Sequence, residues 1–270
     1  MSSGPEFRSD LYRGTARFYD EFRVAYPQPL LDDLREQARI AGAGRLLDLA
    51  CGTGQVTFAL ASNFVEIWAI DQEPEAVEFA RAKGLRLGVD SVRWIAGRAE
   101  DVEADGYFEL VTIGNAFHRL QRQVIAESAV RWLFPGGHLA LLWSNTPWDG
   151  SQQWQRVMAV TVSDWMRDAA ATERVPANLH EHLAEEPHAT ILTKAGFTIV
   201  GEFEFATPYE WSVDQLTGFM YSTSVLSQQA LGQNVPAFER DLRARLLAVE
   251  PAGVFREEIS FSYTLARSPF

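Results

Sequence analysis

The 270 residues predict an α/β fold: an open, mostly parallel sheet between helices. Three observations carry that expectation. Arg45 to Ala50 is a short apolar run broken by one acid, with the length of a buried parallel strand rather than of a helix. Gly52 and Gly54 then break the run, and Val56 to Ala61 resumes at helical composition. The same alternation of strand and helix repeats as far as Trp143, and two further strand-like runs near the carboxyl end bring the expected strands to seven.

The elements follow in order. Tyr12 to Pro27 is rich in aromatics and arginine and precedes the sheet; Pro27 and Pro29 end it. Leu30 to Ile40 has helical spacing and should pack on the sheet. The first strand and glycine turn lead to a helix ending near Asn63. Val65 to Ile70 is the second strand, with Asp71 at its end, and Pro74 suits the first turn of a helix running to about Lys83. Val92 to Ala96 is the third strand, followed by Gly97-Arg98-Ala99-Glu100-Asp101. Phe108 to Gly114 is the fourth, and Asn115-Ala116-Phe117-His118 follows at its carboxyl end, where open α/β sheets bind ligands. Val124 to Leu133 is a helix, Phe134 to Gly137 a turn and His138 to Trp143 the fifth strand.

The pattern then changes. Ser144 to Pro187 is too long for a plain loop and is expected to be inserted helices. Its His180, Glu181 and His182, with His188 beyond, have weak spacing for a metal, and no metal is predicted. Ala189 to Gly196 is a short helix, Phe197 to Ala206 alternates as a sixth strand, Trp211 to Ser224 is aromatic and helical, Phe238 to Val249 is an amphipathic helix, and Phe255 to Ala266 is the last strand. There is no internal repeat, low-complexity segment or linker.

The glycine turn admits two readings. A dinucleotide-binding loop, and with it a nicotinamide-dependent oxidoreductase, wants a third glycine where Thr57 stands. The phrase Asp48-x-Ala50-x-Gly52-x-Gly54 instead resembles the first motif of the class I S-adenosylmethionine-dependent methyltransferases: an acid, one residue, Gly or Ala, Cys or Ser, Gly, Thr or Ser, Gly. The donor of that family has no pyrophosphate, so the loop needs close approach but not a phosphate cradle.

The resemblance covers Tyr12 to Trp143 well and the rest in outline. It implies a Rossmann-like, seven-stranded, mostly parallel sheet whose last strand is antiparallel, with S-adenosylmethionine as methyl donor and S-adenosylhomocysteine as product. It implies one domain over 1–270: a donor-binding core at 28–143, an N-terminal lid at 10–27, and a substrate cap from 144–190 and 207–250. Donor contacts carried over by the motif are Tyr19 and Arg23 in the lid, with Arg23 near the donor carboxylate; Asp48, Ala50, Gly52 and Gly54 in the loop; Asp71 and Gln72 at the ribose; Ala99 and Glu100 at the adenine; and Asn115. His118 is the candidate catalytic group, either taking a proton from the acceptor or only positioning it.

Composition bounds the partners. No run approaches the roughly 18 apolar residues of a membrane span. The first ten residues lack a signal-peptide core, and one cysteine, Cys51, excludes an internal disulfide, so a reducing cytoplasm is expected. The formal net charge is −12, and no basic stripe suggests nucleic acid. From Ser144 onward 16 acids face 9 Lys and Arg, a net −7. Glu202, Glu204, Glu210 and Asp214, with Trp148, Trp154, Tyr209 and Trp211, suggest an acidic, aromatic mouth for a small cationic acceptor such as an amino sugar or aminoglycoside-like natural product. The alternatives are O-methylation of a neutral or acidic metabolite, and a silent donor-binding regulator. The acceptor, the atom methylated and the oligomeric state are open at this stage.

Overall fold

A computed structural model of the chain describes residues 7–8, 10–104, 106–168, 174–176 and 179–269. Five parallel strands form its centre: β1 (Arg45–Leu49), β2 (Glu66–Asp71), β3 (Val92–Ala96), β4 (Phe108–Gly114) and β5 (Leu133–Ser144). Two long antiparallel strands, β6 (Thr198–Ser212) and β7 (Val254–Arg267), complete the sheet in the order β3-β2-β1-β4-β5-β7-β6. The order reverses between β1 and β4, which opens the crevice at their carboxyl ends.

The helices are α1 (Ala16–Phe22), α2 (Gln28–Gln37), α3 (Gln55–Leu60), α4 (Pro74–Leu87), α5 (Arg122–Trp132), α6 (Gln153–Asp168), α7 (Leu179–Glu185), α8 (His188–Lys194), α9 (Val213–Tyr221), α10 (Gln228–Leu231) and α11 (Val235–Val249). Alternation along the central strands splits the core. Leu46, Leu110, Ala140 and Leu142 pack with residues of α2, α3, α6, α9 and α11 on one face. Leu47, Leu49, Val111, Ile113, Leu139 and Leu141 pack with α5 and α8 on the other.

Three boundaries differ from the sequence expectation. The lid stretch contains only seven helical residues, Ala16 to Phe22. Strand β5 begins at Leu133, because Leu133 pairs with Phe108 before the ladder resumes at Leu110 and His138; Phe134 to Gly137 bulge out between them. Strand β6 runs six residues past Ala206, its Thr207 to Ser212 pairing with Ile259 to Val254. Pro208 is tolerated there because β6 is the sheet edge. Helix α9 therefore starts at Val213, where Ser212 and Gln215 form a reciprocal capping box.

Among the described residues no group of three or more His, Cys, Asp or Glu is placed to hold a metal ion. The side chains of His180 and His182 lie outside the described set; Glu181 is exposed, and His188 stacks on Trp143 with ring centroids 5.7 Å apart. No described helix is long and apolar enough to cross a membrane.

Candidate active site

A cavity of about 630 Å³ opens over the carboxyl ends of β1, β2 and β4, inside the range of small-molecule sites. Its floor is the loop between β1 and α3. Gly52 has φ +54°, and a Cβ built on it would meet nothing within 4 Å, so a side chain here would project into open space. Gly54 serves another end. Its φ is +84°, and a Cβ would come within 2.9 Å of both Phe58 and Trp94, so this glycine lets α3 start against β3.

The loop is tied to the end of β2 through Asp71. The Gly52 N–H donates to Asp71 Oδ2 and the Glu73 N–H to Oδ1, both at 2.8 Å. Each carboxylate oxygen keeps a lone pair free, and Asp71 lines the cavity beside Gln72. Burial pushes the Asp71 carboxyl up from its ordinary value, and the two N–H bonds oppose that.

Asp48 is placed differently from its expected role. It is 1% exposed and lies behind the loop, where Thr57 Oγ1 donates to it at 2.5 Å and Thr112 Oγ1 at 2.9 Å. It is not on the cavity wall; it binds α3 and β4 to β1. Burial raises its pKa to about 6 although both hydroxyls favour the ionised form.

Of the remaining expected donor contacts, Tyr19, Ala50, Ala99, Glu100 and Asn115 line the cavity. Glu100 also accepts the Gln121 N–H at 3.0 Å and pairs with Arg98 at 3.5 Å. Asn115 spends its whole side-chain amide on Tyr26 and Ser144, so what it offers a ligand is its main chain, held at φ +52°. Arg23 is not on this wall. Its Nε donates to Ser222 Oγ at 2.8 Å, and its guanidinium lies over Phe219 and Tyr19, at 4.2 and 5.0 Å from their centroids. It borders a small adjoining cleft that shares Tyr19 and Asn115 with the cavity.

His118 stands on the wall, tilted against Trp143 with centroids 5.3 Å apart. Its Nδ1 is buried with no hydrogen-bond partner. Burial, then the charge of Arg119 and the neighbouring His188 and Arg122, holds the ring neutral, with a pKa lowered to about 3.

Among the wall residues not anticipated are two cations with unpartnered donors. Arg119 follows His118 directly and Arg122 opens α5; Arg119 carries Nε and Nη1 buried without hydrogen-bond partners, and Arg122 its Nη2. The signal was present, because the crevice at the end of β4 continues past His118 into Arg119.

The acidic mouth is corrected. Glu202, Glu204, Glu210 and Asp214 are all exposed and none lines the cavity. Alternation along edge strand β6 turns its three acids to solvent and Phe203, Phe205 and Trp211 inward. Glu210 pairs with Arg256 and Asp214 with Arg243. Trp154 and Trp211 are core residues.

Residues 46–137 match the family described as methyltransferase domain. An uncharacterised methyltransferase of Mycobacterium tuberculosis is 27% identical over 171 residues, covering 62% of this chain and 66%, just under two thirds, of that one. The ubiquinone/menaquinone biosynthesis C-methyltransferase UbiE of Burkholderia mallei is 25% identical over 173 residues, covering 61% of this chain and 71% of its own. The solved structure of the [4+2]-cyclase SpnF superposes with a TM-score of 0.59 at 18% identity over 99% of both chains, which is a likeness of fold alone. The matched span runs from β1 into the start of β5, the part of the chain that builds the switch-point crevice and its bare glycine floor, and this stretch is similar to a methyltransferase domain.

Proposed function

We propose that the protein is an enzyme transferring the methyl group of S-adenosylmethionine to an oxygen or nitrogen of a small molecule. The observation that carries this is Asp71: a carboxylate fixed by two main-chain N–H groups, with lone pairs left for two ribose hydroxyls, at the edge of a floor where Gly52 leaves room for a ligand. In this reading Gln72 joins Asp71 at the ribose, Ala99 and Glu100 flank the adenine, Ala50 and Asn115 offer main chain to the amino-acid end, and α1 with Tyr19 and Arg23 is the lid. Asp48 and Gly54 shape the loop from behind.

The bound donor supplies a methyl carbon already activated by its sulfonium. An acceptor lone pair bonds to that carbon as the carbon–sulfur bond breaks, the bonding pair stays on sulfur, and any proton on the attacking atom passes to solvent. The chain's task is then alignment, which can contribute roughly 7–11 kcal/mol of a barrier. His118 is held neutral among cations, so it is a weak proton acceptor, and we assign it to positioning the acceptor. A cationic amino sugar is not carried forward, since the acids that suggested it face solvent.

The test is labelled methyl transfer over an acceptor panel, with S-adenosylhomocysteine binding followed by calorimetry. Asp71→Ala should weaken that binding by about 1.5–3 kcal/mol, the loss of charge-assisted bonds. Gly52→Val, folded but placing a branched side chain in the donor's space, should not bind. Normal affinity in both variants would remove the loop from the donor site, and donor binding without turnover on any acceptor would favour the silent regulator.

A further inference from the structure

The least satisfied charge on the cavity wall is Arg119. It sits on the 3-10 turn Phe117–Arg119 at the end of β4 and reaches toward the cap, where its Nη2 donates to Ser224 Oγ at 3.3 Å. The rings of Phe7 and Tyr12 both lie against its guanidinium, their centroids 5.2 and 5.0 Å from it. Nε and Nη1 are buried and have no acceptor. Nε and Nη2 share the edge of the guanidinium that can grip a carboxylate with two parallel bonds; Nη2 keeps a second N–H beside its bond to Ser224, and Nη1 is a further donor on the other edge. Leaving such donors unpaired out of water is costly, so the arrangement suits an anion that arrives with a ligand.

Nearby acids do not fill that role. Asp71 is engaged by two main-chain N–H groups, Glu100 by Gln121 and Arg98, and Glu186 by Lys194. Arg122 adds a second cation on the same wall. Its Nη1 is used on the Glu186 carbonyl oxygen and His188, but its Nη2 is buried and unpartnered. The donor brings one anion of its own, its carboxylate, for which the lid already offers Arg23; the nucleoside end lies with Asp71, Ala99 and Glu100. Arg119 stands between that strand end and the cap, on the acceptor's side.

We propose that the methyl acceptor carries a compact anionic group, a carboxylate or a phosphate monoester, and that Arg119, held against Phe7 and Tyr12, is its docking group. This rests on the methyltransferase reading of the same cavity. The anion serves as a handle, and a separate oxygen or nitrogen takes the methyl group. Binding it would also offset the field that Arg119 exerts on His118, bringing that imidazole closer to its ordinary basicity.

The experiment first titrates wild-type protein with S-adenosylhomocysteine, then titrates the saturated complex with ring-matched probes. These are 4-hydroxybenzoate and 4-hydroxyphenyl phosphate as anions, 4-hydroxybenzamide as neutral, and tyramine as cation. At least one anion should bind tenfold or more tighter than the amide, and tyramine more weakly still; which anion wins separates carboxylate from phosphate. Arg119→Gln should lose that preference while S-adenosylhomocysteine affinity stays within about threefold. Arg119→Lys, which keeps the charge but not the fork, should fall between. Equal binding of anion, amide and amine, no saturable binding of either anion, or a loss in Arg119→Gln that falls on S-adenosylhomocysteine instead would each overturn the proposal. Failure of wild-type protein to bind S-adenosylhomocysteine would overturn the methyltransferase reading itself.

Discussion

Two buried titratable side chains, His118 and Asp48, serve the site in different ways. His118 has an unpartnered Nδ1, two cationic neighbours and a pKa of about 3, which makes proton abstraction costly and contact through a neutral ring favourable. His118→Asn should therefore recover much of the turnover lost in His118→Ala, itself a loss of about tenfold rather than the 100-fold or more of a missing general base. The kcat values of the two variants decide it, and an inactive His118→Asn with normal ligand binding would restore the base. Asp48 makes a stability prediction. Its folded pKa of about 6 lies above the unfolded value of 3.8, so the native state binds the extra proton and this group's contribution grows as pH falls from above 6 toward 4. The shift is worth on the order of 3 kcal/mol. Asp48→Asn should be close to neutral or stabilising at pH 7, and should abolish this part of the gain on acidification; urea midpoints at pH 7.5 and 5 for both proteins measure it. At this scale the loop motif was legible because strand, glycines and acid are contiguous. The retreat of Asp48 behind the loop was not, because its partners Thr57 and Thr112 come from a helix and a strand that meet only in the fold.

Helices and strands set what those residues can reach. The central strands could be placed from composition because each is a short apolar run closed by a turn residue, and burial on both sides leaves no ambiguity of face. Strand β6 was cut short, since Thr207-Pro208-Tyr209 resembles a turn; only its long partner β7 shows that the ladder continues. The seating of α1, the proposed lid, depends on a contact of the same non-local kind. Gly218 on α9 lies against the ring of Phe22 on α1, and a Cβ there would collide with the ring's root as well as its edge. Phe18 meets Tyr221 edge-on at 5.2 Å along the same seam. Gly218→Ala should gain up to about 1 kcal/mol of helix propensity in α9 while displacing α1. Amide exchange across residues 16–22 should accelerate, and S-adenosylhomocysteine should dissociate faster, with little change in melting temperature. Unchanged exchange in α1 would mean that the seam does not hold the lid.

The molecule as a whole joins the five parallel strands to an added superstructure through one ribbon. Strand β5 pairs with β7 only over Phe261 to Arg267, whereas β6 stays with β7 as far as Val254, so the far end of the ribbon projects beyond the parallel sheet. Phe255, Trp154, Trp211, Phe219 and Phe238 form the apolar core of that end, and α6, α9 and α11 pack around it. At its centre is Glu257, 7% exposed, which accepts the Trp211 indole N–H at 2.6 Å and the Gln155 amide at 2.7 Å. The carboxylate ties ribbon to α6, and burial raises its pKa despite both donors. Glu257→Ala would leave two buried N–H groups unpaired at roughly 1–3 kcal/mol each, so a total loss of about 2–6 kcal/mol is expected. In a chain of this size that corresponds to a fall in melting temperature of very roughly 5–15 °C. The ribbon end is remote in the sheet from β1 and β2, which carry Gly52 and Asp71. Donor affinity should therefore hold within about threefold while acceptor turnover drops, because the cap that includes Ser224 and meets Arg119 rests on this core. Calorimetry with S-adenosylhomocysteine below the melting transition, beside initial rates on the same preparation, separates the two. A parallel collapse of donor binding would show that core and cap stand or fall together and that the acceptor's roof is no separate layer.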